Sequence, residues 1–178
     1  MGRRHRGKRM MDMVISPMTP VFDEYGGVRD VYLTVARTHD PEIVRAIVEH
    51  PDIMPMVWDG PGRPPIPMVS SVYHLAARID GELAGLITFV PINSVTWNPH
   101  VNMLVRGRGI GTEVVKRGIS WMFENTDCIK IVAFPPAYNR AMIRVFEKSG
   151  FLLEGRSPKS FKFNNTVFDR LLMGIGKG

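Results

Sequence analysis

Runs of apolar residues, several of them alternating with polar ones, predict β-strands along much of the chain. They lie at residues 28–36, 72–79, 83–90, 95–104, 129–134, 151–154 and 167–173. Asp80-Gly81 stands between the second and third runs, and this pair tolerates the positive φ of a two-residue hairpin turn. The sequence therefore predicts an antiparallel hairpin that turns at 80–81, followed by a third strand at 95–104.

Three segments have the spacing of amphipathic helices. In the first, Asp40 is a capping residue before Pro41, and Pro51 stops the helix. The second helix follows the glycine-rich residues 106–111, and the third spans 139–149 and is closed by Gly150. Helices and strands in this order predict an α/β fold with a mixed sheet. Residues 59–67 contain four prolines and two glycines, so they are predicted to form a loop, which is a candidate lid on the substrate side.

Length and composition agree with one packed domain, because a chain of 178 residues with 44% hydrophobic residues can bury a sizeable core. No apolar run reaches the roughly 18 residues of a membrane span, and no signal-peptide segment follows the N-terminus. We therefore expect a cytoplasmic protein that does not contact a membrane. Cys128 is the single cysteine, which excludes an internal disulfide and a multi-cysteine metal site. We interpret it as a buried apolar residue, and we expect no bound metal.

The formal charge of +6 is concentrated at the N-terminus, where Arg3, Arg4, Arg6, Lys8 and Arg9 precede the first acidic residue. We divide the chain into a flexible basic arm at 1–12 and one domain at 13–178. A charge block of this kind predicts weak, sequence-independent contact with nucleic acid. The alternative is a solvated tail without a partner. The oligomeric state expected is a monomer or a homodimer.

The glycine-rich loop is the first candidate for chemistry. It reads Arg106-Gly107-Arg108-Gly109-Ile110-Gly111 and lies between a predicted strand and a predicted helix. Glycines there leave the backbone uncovered, so that N–H groups and the helix N-terminus can converge on an anion such as a pyrophosphate. The loop does not end in Gly-Lys-Ser/Thr and lacks the Gly-x-Gly-x-x-Gly spacing, which sets aside the P-loop and the Rossmann motif.

Two motifs together resemble the GNAT family of N-acetyltransferases. Arg106-x-x-Gly109-x-Gly111 is similar to the acyl-CoA motif of that family, and Asn139 with residues 146–151 is similar to its Asn-x-x-x-x-x-x-Tyr-x-Lys-x-Gly-Phe motif. Glu154-Gly155 and Phe168-Asp169 look like ribosomal-protein N-terminal acetyltransferases, whereas His50-Pro51 and residues 121–127 look like phage-encoded members. The resemblance covers residues 72–175. It implies the GNAT fold, in which a mixed sheet with splayed middle strands is flanked by helices, and acetyl-CoA as co-substrate.

The resemblance also implies which residues hold coenzyme A. They are Met103, Leu104, Val105, Arg106, Gly107, Arg108, Gly109, Ile110, Gly111, Thr112 and Asn139. Backbone N–H groups of 107–112 would bind the pyrophosphate, and the two arginines would add charge. The backbone of 103–105 would bind the pantetheine arm. Asn139 is expected near the pantetheine and as a helix cap.

The catalytic side chains are less clearly indicated. Phe146 stands where the family has its general acid tyrosine, so Tyr138 or water would have to return a proton to the thiolate. His100 is the candidate base, because strand alternation places it with Asn102 and an imidazole pKa near 6.5 suits proton removal at neutral pH. The alternative is an ordinary strand residue.

Two functions of different classes remain open. The first is transfer of an acetyl group to an amine of a peptide, protein or small molecule by direct attack in a ternary complex. The second is a non-catalytic GNAT-fold binding or assembly module, phage-like in origin, whose basic arm binds nucleic acid. Arg156, Lys159 and Lys162, in a predicted hairpin loop, argue mildly against polycationic acceptors.

Overall fold

A computed structural model describes residues 16–17, 21–22, 28–29, 32–58, 61–107 and 109–178, with side chains from residue 32 onwards. The basic arm and Arg108 lie outside the described residues. The helices are α1 (Pro41–Val48), α2 (Met54–Val57), α3 (Ile110–Asn125) and α4 (Arg140–Lys148). The strands are β1 (Ser16–Pro17), β2 (Val21–Phe22), β3 (Val28–Arg29), β4 (Tyr32–Thr38), β5 (Tyr73–Ile79), β6 (Glu82–Pro91), β7 (Thr96–Met103), β8 (Lys130–Ala133), β9 (Leu152–Phe163) and β10 (Thr166–Gly176).

The main sheet has the strand order β1-β4-β5-β6-β7-β8-β10-β9, and β2 pairs with β3 in a separate two-stranded sheet. Only β7 and β8 run parallel; the other pairs in the described sheet are antiparallel. The predicted mixed α/β sheet is thus confirmed. The single strand predicted at 28–36 is wrong, because β3 and β4 belong to different sheets.

The two middle strands separate from each other part-way along their length. β7 and β8 pair only at Thr96↔Lys130 and Trp97↔Ile131. Beyond that point β7 stays paired with β6 as far as Met103, while β8 stays paired with β10 at Ala133. A gap therefore opens between the strands, which is the splayed arrangement that the family resemblance implied.

Helices cover both faces of the sheet. The larger core packs α3 and α4 against one face, where Ile87 and Phe89 of β6 are almost completely buried. A Cβ atom at Gly118 of α3 would lie 2.8 Å from Ile87 Cδ1, so only glycine lets this helix approach the sheet so closely. The smaller core packs Val44 and Ile47 of α1 against Leu86 on the opposite face. We refer to these as the α3 face and the α1 face.

Local signals placed most boundaries correctly. Asp80 and Gly81 have φ values of 50° and 88° in the predicted hairpin turn, and Asp40 Oδ1 accepts a hydrogen bond from Glu42 N at the start of α1. The last two strands are longer than predicted. Arg156, Lys159 and Lys162 consequently lie within β9 and not in a hairpin loop; the turn is at Asn164-Asn165, where φ is positive at both residues.

Candidate functional site

The gap between β7 and β8 exposes backbone groups of β7. Ile92 N donates to Thr96 O at 2.8 Å and Leu104 N donates to Ala84 O at 2.9 Å, so even-numbered residues of β7 exchange hydrogen bonds with β6. In an antiparallel pair the intervening residues point the other way. The backbone groups of Val101 and the N–H group of Met103 therefore face the gap and are available to a ligand that extends along it, while Met103 O accepts from Arg106 Nε.

This geometry bears on part of the predicted coenzyme A site. The N–H groups of Leu104 and Val105 both donate to Ala84 O, at 2.9 and 3.2 Å. Both N–H groups thus already have a partner, and the predicted contact of Leu104 and Val105 with pantetheine stays a prediction. Leu104 N faces β6 by the regular alternation, whereas Val105 N departs from it because of a local irregularity where the chain leaves β7. Val101 and Met103 are further candidates for contacts with pantetheine.

The glycine-rich loop follows β7 directly and ends at the N-terminus of α3. Gly107 and Gly109 have φ values of 88° and 75°, which are strained for other residues. A Cβ atom at either position would meet nothing within 4 Å, so the loop borders open space. Glu113 N makes a helical hydrogen bond to Gly109 O, which leaves Gly111 and Thr112 as N–H groups ahead of the helical ladder. The loop therefore has room for a large anion beside N–H donors and a helix N-terminus.

The other predicted residues of this site take distinct positions. Ile110 is buried, and its N–H group donates to Gly107 O at 3.1 Å, which makes it unavailable to an anion. Arg106 is exposed, and its Nε lies 3.4 Å from Met103 O at the mouth of the gap. Asn139 Oδ1 accepts from Met142 N at 3.1 Å, so its predicted role as the cap of α4 is confirmed.

His100 lies in a row of polar side chains on the α1 face. Thr38, His74, Thr88 and His100 are successive cross-strand partners on β4 to β7. His100 reaches the surface, and its Nε2 lies 3.4 Å from Asn98 Nδ2. Partial desolvation by neighbouring groups, followed by the charge of Arg170, lowers the pKa of His100 from its ordinary value. The imidazole is therefore mainly neutral at pH 7, as a proton acceptor must be.

His74 was not singled out from the sequence, although it is a buried polar residue with defined partners. It is 3% exposed, with Nδ1 2.9 Å from Thr88 Oγ1 and Nε2 3.2 Å from Pro67 O. A carbonyl oxygen can only accept, so Nε2 carries the hydrogen and Nδ1 accepts from the Thr88 hydroxyl. Burial lowers the pKa of His74, although its bond to Pro67 opposes this change. No motif could have revealed this pair, because it depends on strand register.

The two aromatic residues considered for proton return differ in exposure. Phe146 is 3% exposed and packs on Phe151 with ring centroids 4.8 Å apart, so it is a core residue of α4. Tyr138 is 42% exposed, and its ring lies 4.5 Å from that of Phe168 and 5.9 Å from that of Phe163. Tyr138 lies in the segment between β8 and α4, and its ring packs on the hairpin of β9 and β10.

The proline-rich loop lies on the α1 face, as His100 does. Within its described part, Arg63 Nε is 3.5 Å from Glu49 Oε2, Ile66 packs on the α1 core, and Pro67 O contacts His74. A surface depression of about 400 Å³ lies between this loop and α1, and the glycine-rich loop does not line it. The loop is thus anchored at three points, and its predicted function as a lid stays a prediction.

Comparison with known proteins decides the family. The model of the acetyltransferase (GNAT) family matches residues 50–151. This match covers more than half of the chain. The chain belongs to the GNAT family. The predicted family, fold and enzyme class are confirmed, and the glycine-rich loop, the β7–β8 gap and α4 all lie within or beside the matched GNAT region.

Solved structures share this GNAT fold. The spermidine N-acetyltransferase from Vibrio cholerae, in complex with CoA and spermine, has 16% identity and a TM-score of 0.69 over 81% of this chain and 95% of its own. A proposed phosphinothricin N-acetyltransferase has 18% identity and a TM-score of 0.63 over 82% and 99%. A dodecameric form of the Vibrio cholerae enzyme has a TM-score of 0.56 and 20% identity over 60% and 66%. No curated protein matches the chain significantly.

Three further observations concern groups outside the gap. Cys128 is fully buried, and burial raises its pKa to about 11, which confirms its interpretation as a core residue. Among the described residues, no three His, Cys, Asp or Glu side chains come together as a metal site. None of the described helices is long and apolar enough to cross a membrane.

Proposed function

We propose that this protein is an acetyl-CoA-dependent N-acetyltransferase that transfers the acetyl group directly to a primary amine within a ternary complex. The observation that carries the proposal is the continuous path from the β7–β8 gap into the glycine-rich loop. Along it lie, in order, the backbone groups of Val101, the N–H group of Met103, a turn of positive-φ glycines and a helix N-terminus. An extended pantetheine arm that ends in a pyrophosphate has the shape and charge for this path.

In this proposal coenzyme A is held mainly by the backbone. The N–H groups of Gly107, Gly109, Gly111 and Thr112 bind the pyrophosphate, and the exposed Arg106 adds positive charge. Val101 and Met103 bind the pantetheine arm. Arg108 and Asn139 were predicted from the family resemblance as further contacts, and they stay part of the proposal. When bound, acetyl-CoA supplies an activated acyl group as a thioester.

Side chains near the gap accept and donate the protons that the reaction transfers. The acceptor amine forms the new C–N bond while the C–S bond breaks, so one proton must leave the nitrogen and one must reach the sulfur. His100 accepts the first proton, since its pKa is lowered and it is neutral at pH 7. Tyr138 donates the second, because Phe146 has no hydroxyl group. A backbone N–H group directed at the thioester oxygen would lower the barrier by about 3 kcal/mol.

The acceptor is an amine approached from the α1 face. The similar structures include enzymes named for spermidine and phosphinothricin, both of which carry primary amines, and this supports an amine as the acceptor. We also propose a cytoplasmic location, a monomer or homodimer, and an origin similar to phage-encoded members.

The non-catalytic alternative makes a different prediction. A binding module that used only its basic arm would bind nucleic acid in a salt-dependent way and would not consume acetyl-CoA. Deleting residues 2–9 should abolish such binding and leave acetyl-CoA affinity unchanged, with a log–log salt slope of up to about −4 before the deletion. Binding that survives both the deletion and high salt would place the contact elsewhere.

Thiol release from acetyl-CoA in the presence of a panel of amines tests the main proposal. We expect release that depends on the amine, together with calorimetric binding of acetyl-CoA in the micromolar range, about −8 kcal/mol. Absence of both binding heat and thermal stabilisation at millimolar acetyl-CoA would overturn the assignment.

A further inference from the structure

Arg170 is a cation without an anion. Its Nε atom is buried and has no hydrogen-bond partner, and no acidic side chain of the described chain forms an ion pair with it. The guanidinium carbon lies 5.0 Å from the centre of the Phe161 ring, which holds the group by a cation–π contact. Half-burial of an unpaired guanidinium is costly, so this arrangement favours an anionic partner outside the described residues, such as a bound ligand.

Arg170 and His100 lie on the same face of the sheet. Leu171, Met173 and Ile175 of β10 pack into the α3-face core. Arg170 directly precedes Leu171, so by strand alternation its side chain projects toward the α1 face. Val101 and Met103 also pack against that core, which directs His100 to the α1 face in the same way. The backbone of Arg170 pairs with Pro136, just beyond the end of β8. Arg170 and His100 therefore flank the gap from opposite sides.

The surroundings of Arg170 have excess positive charge. The hairpin of β9 and β10 contains two acids, Glu154 and Asp169, and both are already paired. Glu154 lies 2.5 Å from Lys130 Nζ, and Asp169 lies 2.6 Å from Arg156 Nε. The remaining cations of the hairpin are Lys159, Lys162 and Arg170. An acceptor that approached as a polycation would meet repulsion here, whereas an acceptor with an anionic group would be attracted.

We propose that Arg170 is a specificity-determining residue that binds a carboxylate of the acceptor, so that the substrate is an amino acid or an amino-acid-like primary amine. This inference rests on the proposed N-acetyltransferase function. A guanidinium binds a carboxylate through two parallel hydrogen bonds, and the Nε atom that lacks a partner is one of the donors for that geometry. With the carboxylate at Arg170 and the amine near His100, the acceptor spans the gap in a fixed orientation.

The test compares matched acceptors that differ only in the carboxylate. Thiol release is measured with glycine, leucine and glutamate, with their α-carboxamides, with the corresponding amines that lack the α-carboxyl group, and with spermidine. We expect at least one amino acid to have a kcat/KM at least tenfold above that of its carboxamide. In Arg170→Gln this preference, taken as the ratio of the two kcat/KM values at one pH, should fall to about one.

Two further variants separate recognition from folding and from general charge. Arg170→Lys keeps the charge but not the two-pronged geometry, so it should retain part of the preference. Lys162→Gln removes a positive charge from the same hairpin and should leave the preference unchanged. A purely structural role of Arg170 would lower kcat/KM for all acceptors equally and would overturn the inference.

The outcomes also distinguish this inference from the proposed function. If the enzyme acetylates spermidine or simple amines without preferring a carboxylate, the inference is wrong and the proposed function stands. If acetyl-CoA binds but no amino acid is acetylated, the inference is again wrong. If acetyl-CoA neither binds nor is consumed, the proposed function itself fails.

Discussion

The hydroxyl oxygen of Thr88 lies 2.9 Å from Nδ1 of His74, on the face of the sheet that also carries His100. Thr88 is the cross-strand partner of both histidines, so it stands between a buried imidazole and one that reaches the surface. Because His74 donates through Nε2 to Pro67 O, the same imidazole ties the proline-rich loop to the sheet. The hydrogen-bonded pair of His74 and Thr88 therefore stabilises the part of the sheet that underlies the proposed acceptor site.

The first prediction concerns stability in acid. Burial lowers the pKa of His74 in the folded state, so below pH 6.5 the unfolded chain binds more protons at this residue than the folded one. The free energy of unfolding should therefore fall as the pH falls, by at most about 1.4 kcal/mol per pH unit for this proton. Urea denaturation at pH 7.5 and pH 5 measures the change. In His74→Gln the free energy of unfolding should decrease less between pH 7.5 and pH 5 than in the wild type. An equal decrease in the variant and the wild type would mean that other groups cause the effect.

The register that creates this pair could not be predicted from the sequence. A two-residue turn at Asp80-Gly81 alone would pair His74 with Ile87, but a bulge between Ala77 and Arg78 shifts the partner to Thr88. The extra residue is Ala84 of β6, directly before Gly85. A glycine inside a strand is compatible with a bulge, but it does not specify which residue is left unpaired and therefore does not fix the register. Alternation along one strand correctly placed His100 and Asn102 together, because it needs no knowledge of the neighbouring strand.

The gap between β7 and β8 is a second feature that the hydrophobic pattern alone could not predict. One strand, β7, lies at Thr96–Met103, close to the predicted 95–104, but the hydrophobic pattern does not show which edge of that strand lacks a partner. The family resemblance supplied the splay, and it placed the free donors at 103–105. In the structure, the N–H groups of Leu104 and Val105 donate to Ala84 O, whereas those of Val101 and Met103 face the gap.

The second prediction concerns the glycine-rich loop. Gly109 has a φ of 75° and borders open space, so a side chain there projects into the region assigned to the pyrophosphate. Gly109→Asp should weaken acetyl-CoA binding about 100-fold or more, since two like charges about 4 Å apart near a protein surface repel by about 4 kcal/mol. Gly109→Asn has the same shape without the charge and tolerates positive φ, so it should bind more tightly than the aspartate variant. Calorimetry compares the two, and equal affinities would mean that no phosphate lies there.

The third prediction concerns Tyr138. Tyr138→Phe removes only the hydroxyl group, because the ring contact with Phe168 at 4.5 Å is retained. If Tyr138 returns the proton to the sulfur, kcat should fall by about 10²-fold, with little change in thermal stability or in acetyl-CoA affinity. Steady-state kinetics with thermal denaturation as the control measures this. An unchanged kcat would mean that water, and not Tyr138, donates the proton to the sulfur.

The last prediction concerns His100 as the base. Desolvation and the positive charge of Arg170 lower the pKa of His100. The acidic limb of the kcat/KM profile should therefore lie below pH 6.5, and the profile should be flat at neutral pH. His100→Ala should remove that limb and slow turnover about 10²- to 10⁴-fold, with cofactor affinity nearly unchanged because the proposed contacts to coenzyme A use other residues.

Arg170 also provides an internal check on this assignment. Arg170→Gln removes a positive charge that lowers the pKa of His100, so the acidic limb should move to higher pH in that variant. Measuring the profile with two acceptors of different amine pKa completes the experiment. A limb that shifts with the acceptor and not with Arg170→Gln belongs to the ionisation of the substrate, and His100 would then have to be withdrawn as the base.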